Sequence, residues 1–129
     1  RALPGGLPAA GAGRGAGKKR LGALAAWVYG GGEGYCEACP QTCANCPKVL
    51  NAPRSLEGAA VWRLTELIEG QLRISGGVVI GFDLTAALAA AGALGIDPVA
   101  VVELLPVIEA RMVEAAHAQV NRATEREQE

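Results

Sequence analysis

Four cysteines, Cys36, Cys39, Cys43 and Cys46, are the only ones in the chain and fall within eleven residues of each other. Their spacing is C-x2-C-x3-C-x2-C. Two such hooks turn two thiolates each toward a common point, and soft sulfur ligands in a set of four suit tetrahedral zinc. Gly34, Pro40 and Pro47 help the backbone turn around an ion. The expectation is one zinc ion held as a staple, because a short segment with little core gains folding energy from a metal. Three alternatives stay open, the plainest being that the cysteines are free thiols with no defined role and no cofactor. Iron–sulfur clusters use equally compact runs, one of which ends Cys-Pro as Cys46-Pro47 does, although its spacings come in a different order. Disulfides follow if the protein is exported or oxidised.

Catalytic chemistry finds little support. His117 is the only histidine, and its nearest acidic neighbour at helical spacing is Glu114. The segment 11–19, Gly-Ala-Gly-Arg-Gly-Ala-Gly-Lys-Lys, evokes a phosphate-binding loop. It lacks the first glycine, where Ala12 stands, and the Ser or Thr after the lysine, where Lys19 stands. No metalloprotease, serine-hydrolase or dinucleotide fingerprint occurs. The acids are spaced singly along helix faces, where solvation is their ordinary role. The reading is a binding protein and not an enzyme.

The net charge of −1 conceals an asymmetry. Residues 1–32 hold Arg1, Arg14, Lys18, Lys19 and Arg20 and no acid, while the remainder carries seven bases and thirteen acids. A basic arm without interleaved aromatics is a weak nucleic-acid footprint, so nucleic acid is not the expected partner. No stretch reaches the ~18 unbroken apolar residues of a membrane span. The basic 18–20 and apolar 21–29 lack the cleavage pattern of a signal peptide. The expected setting is therefore the cytoplasm. The first residue is Arg1 and not Met, as in a fragment, a processed product or a frame entered from upstream.

The elements follow from composition and periodicity. Residues 1–34 hold eleven of the eighteen glycines, and ordering them costs backbone entropy with little apolar area in return. They read as a flexible arm with one short helical turn at 21–29 docked through Trp27. Residues 35–53 form the cysteine knuckle. A helical domain occupies 54–124 and a polar tail 125–129. Ser55 caps a first helix to about Ile74, with Ala60, Leu64, Leu67, Ile68 and Leu72 as its apolar stripe and Gly70 as a weak point. Gly76-Gly77 stops it, and Val78-Val79-Ile80 is a strand fragment or buried loop. Asp83 caps a second helix ending at Gly95. Asp97-Pro98 starts a third, to about Thr124, bent at Pro106. Its stripe is Val102, Leu105, Ile108, Met112, Ala116 and Val120. The predicted fold is mainly α, a small three-helix domain behind a disordered glycine-rich arm and a four-cysteine knuckle.

Residues 59–116 resemble the tail assembly chaperones, and related small helical tail proteins, of bacteriophages and prophages. The likeness rests on Val61-Trp62-Arg63-Leu64 leading to Gln71-Leu72-Arg73, on Gly81-Phe82-Asp83-Leu84, on Leu94-Gly95-Ile96, and on the acidic, alanine-rich helix at 107–116. Leu72 departs from the pattern, where an aromatic residue is usual. The resemblance implies a small helical protein that holds a tape-measure or tail-tube protein before assembly. It also implies a protein-binding surface that includes Trp62, Arg63, Gln71 and Arg73. Trp62 is the strongest anchor by residue type; packing into a core poor in aromatics is the competing role. The alternative function is a metal-stapled nucleic-acid-binding or regulatory module that uses the basic arm and the knuckle.

Overall fold

The computed structural model describes residues 14–32, 34, 35 and 46–128. It is mainly helical, in the order α1 (Arg14–Trp27), α2 (Pro47–Leu50), α3 (Leu56–Ile68), β1 (Leu72–Ser75), β2 (Val78–Phe82), α4 (Leu84–Leu94) and α5 (Pro98–Gln128). The two strands pair antiparallel.

The helix boundaries have local causes. Ser55 accepts a hydrogen bond from Gly58 N at 2.9 Å and so caps α3. Asp83 does the same for α4, accepting from Ala86 N at 3.1 Å. Gly95, at φ 72, closes α4 in the left-handed conformation. Asp97 Oδ1 accepts from Val99 N at 2.9 Å and opens α5 behind Pro98. Pro106 lies within α5 without ending it. Both Pro106 and Val102 are exposed, so the carbonyl that Pro106 leaves unpaired borders solvent.

Three expectations are corrected. The flexible arm does not extend through residue 34: α1 begins at Arg14 and buries Leu21, Leu24 and Ala25. The glycines of this stretch are outweighed by that apolar face, which packs chiefly along α5. Residues 1–13, and most of the proposed knuckle, lie outside the described residues. The first helix of the domain ends at Ile68, not near Ile74, because Leu72–Ser75 is a strand. Gly76 and Gly77, at φ 58 and 79, supply the two left-handed residues of a tight hairpin turn. The last helix runs on to Gln128, through most of the segment read as a polar tail.

The core stripes are met in part: Leu64 and Ile68 of α3 and Leu105, Ile108 and Met112 of α5 are buried as expected, with neighbours on one side added and the outer positions lost. On α3 the buried residues are Gly58, Val61, Leu64, Thr65 and Ile68, and Leu67 is exposed. On α5 they are Ala100, Val101, Leu104, Leu105, Ile108 and Met112, while Val102 and Val120 are exposed. Phe82 of β2 and Ala87 and Ala91 of α4 complete the cluster, joined by Leu21 and Ala25 of α1. Each large apolar side chain so buried contributes roughly 1.5–3 kcal/mol. Small residues on α4 let it approach closely. Thr65 is the one buried polar side chain among the described residues, and its hydroxyl donates to Val61 O at 2.8 Å.

Candidate functional site: the hairpin latch

Residues 71–73 and 81–83 meet at the base of the hairpin. Asp83 N donates to Gln71 O at 2.8 Å, closing the base of the hairpin. Leu72 pairs with Phe82 and Arg73 with Gly81. The register then shifts between Arg73 and Ile74, leaving Ile80 as the extra residue of a bulge. Arg73 Nε donates to Phe82 O at 3.1 Å. On the other side of the same residue, Phe82 N donates to Glu109 Oε2 at 2.8 Å. The Phe82 side chain is meanwhile buried.

Gly81 lies directly beneath the ends of two side chains. A Cβ there would stand 2.7 Å from Glu109 Oε2 and 3.0 Å from Arg73 Nη2. The carboxylate and the guanidinium thus close over the Gly81 backbone. A third side chain extends the arrangement: His117 Nε2 donates to Val79 O at 3.1 Å. A carbonyl only accepts, so this nitrogen carries the proton. Glu109 and His117 of α5 therefore satisfy backbone groups along β2 that a further strand would otherwise use.

The sequence-predicted residues divide into two groups. Gln71 and Arg73 belong to the latch. Trp62 and Arg63 lie on α3: Trp62 is half-buried against the core and Arg63 is exposed. Cys36, Cys39 and Cys43 lie outside the described residues. Cys46 is the residue before α2; its carbonyl accepts from Val49 N and Leu50 N at 3.0 and 2.9 Å. Among the described residues its thiol forms no disulfide, and it takes no part in capping. Among the described residues no group of three or more His, Cys, Asp or Glu side chains is placed to hold a metal ion. No helix among them is long and apolar enough to cross a membrane.

Glu109 and His117 were not singled out as partners of the hairpin from sequence. Both sit on a helix whose acids and lone histidine read as solvent-facing, and nothing local announces a contact 27 or 38 residues away. Tyr29 is a second unforeseen feature. Burial, with Glu69 and then Glu66 nearby, pushes its hydroxyl up to about 12. Arg20 of α1 donates to the Leu50 carbonyl and ties α1 to α2.

A family model described as a family of unknown function (DUF7697) matches residues 73–126. That stretch begins at Arg73 and includes Gly81, Phe82, Glu109 and His117, so the latch side chains fall inside it. No curated protein and no solved structure matches the chain.

Proposed function

We propose that the chain is a phage or prophage tail-assembly chaperone or adaptor, which binds a tape-measure or tail-tube protein during virion assembly in the cytoplasm of a bacterial host. One observation carries this reading. Two segments of the resemblance, 71–73 and 81–84, are joined by the Asp83–Gln71 and Arg73–Phe82 hydrogen bonds at the base of one hairpin. Val78 and Ile80, two apart on β2, are exposed at 36% and 47%. An apolar hairpin surface held in fixed register offers a partner a preformed site, which lowers the ordering cost of binding. Arg73 supplies charge on the same hairpin, and in this reading Trp62 and Arg63 of α3 add an aromatic and a charged contact for the partner.

In the same proposal the four cysteines hold one zinc ion that braces the segment before α3. The donor set favours zinc over harder ions. Co-expression with a tape-measure or tail-tube protein is the test. The expected result is a soluble complex that survives purification and weakens when Val78 and Ile80 are both replaced by Glu. Absence of a complex with either protein removes the proposal. DNA binding that falls steeply with salt supports the alternative regulatory module instead.

A further inference from the structure

A different face of α5 carries a pattern of its own. The last buried residue of this helix is Met112, and every residue from Gln119 to Gln128 is exposed. A solvated helical end of this length is marginal in water without something to pack on. Away from the side of Glu109 and Met112, the residues Val107, Arg111, Glu114, Ala118, Arg122 and Glu125 recur at intervals of three and four, so they share one face.

The charges on that face are symmetric about Ala118. Arg111 and Glu125 each lie seven residues from it, and Glu114 and Arg122 each lie four. The signs are opposite within each pair. A two-fold axis through Ala118 therefore opposes Arg111 to the second copy's Glu125, and Glu114 to the second copy's Arg122, each twice over. Beside this face runs an open groove in which Lys18, Lys19, Gly22 and Ala23 of α1 adjoin Val107 and Arg111. Its small floor residues admit a helix at close distance. Its lysines add positive charge where the second copy's Glu125 would enter.

We propose that the protein forms an antiparallel two-fold dimer through this face of α5, with the C-terminal end of each α5 seated in the α1–α5 groove of the other copy. Such an interface is self-complementary, as a two-fold contact requires. The existing Arg111–Glu114 pair, 3.0 Å apart and about half exposed on both sides, contributes little and is readily exchanged for contacts across the axis. The proposal stands independently of the tail-protein reading.

Charge reversal tests it on the full chain. Light scattering coupled to gel filtration, or sedimentation, measures the dimer dissociation constant. Arg111→Glu alone and Glu125→Arg alone each place like charges across the axis. Each is expected to weaken the dimer at least about tenfold. The double variant restores opposite signs and is expected to return within about threefold of the original. Glu114→Arg with Arg122→Glu gives an independent second cycle. All four positions are exposed, and circular dichroism checks that helix content is unchanged. A wild-type chain that stays monomeric at about 100 μM overturns the proposal and leaves the groove to an acidic helix of another protein. A dimer indifferent to the single reversals, or a double variant that fails to recover, overturns it equally.

Discussion

Glu109 and Phe82, 27 residues apart, are joined where the carboxylate accepts the strand's backbone N–H at 2.8 Å. The bond is charge-assisted and fixes the hairpin to the long helix. Glu109→Ala leaves the half-buried N–H without this partner and is expected to cost about 1–3 kcal/mol. Glu109→Gln keeps an acceptor oxygen and should cost less. Urea unfolding of the three proteins measures both. Equal losses for Ala and Gln would show that the charge, and not the acceptor, holds the strand.

Gly81→Ala tests the space beneath that carboxylate. The added Cβ would lie 2.7 Å from Glu109 Oε2, so the side chain or the strand must move. A loss of about 1–3 kcal/mol is expected. In the background of Glu109→Ala the two nearest obstructing atoms are gone, and only Arg73 Nη2 at 3.0 Å remains. The double variant should then lose less than the two single losses combined. Strict additivity would mean that Gly81 is needed for another reason.

Tyr29 gives a dependence on alkaline pH. Its hydroxyl titrates at about 12 in the folded protein against an ordinary 10.0, raised by burial, then by Glu69 and Glu66. The folded state holds the proton more tightly than the unfolded state. The stability this contributes is complete below pH 10 and is lost as pH rises from about 10 to 12. Chemical denaturation at intervals across that window should show a decline that Tyr29→Phe makes shallower. An identical decline in the Phe variant would remove Tyr29 from the explanation.

The zinc proposal is tested by composition. Freshly purified, reduced protein should contain about one zinc per chain, and a chelator should increase cleavage near Pro47. Most of the helical signal should survive, because α3, α4 and α5 bury their own apolar faces. Metal-free protein with four titratable thiols would remove the metal. A brown, iron-containing preparation would point to an iron–sulfur cluster.

Parts of this architecture were legible from sequence where the signal is local. Ser55, Asp83 and Gly95 perform the capping roles that their types and positions suggest. Residues 72–74 read as helix because Leu72 continues an apolar helical spacing from Leu64 and Ile68. Tertiary packing overrode it: Leu72 faces Phe82 across the hairpin, where both reach the core. The helix at 14–27 was hidden by its glycines, since what stabilises it is contact with a helix some eighty residues later. Glu109 and His117 illustrate the same limit. Their chemistry is ordinary, and only the fold brings them to β2.

The two anchors also set a scale. Glu109 and His117 are eight residues apart on α5, or about 12 Å along a helix. Phe82 and Val79, which they hold, are three residues apart, or about 10 Å along a strand. The helix thus works as a ruler laid antiparallel to the strand, with two marks matched to two backbone groups. Sliding β2 by one residue would turn both groups away at once. The mid-hairpin bulge is confined between fixed points, and its extra residue, Ile80, is kept at one address on the surface.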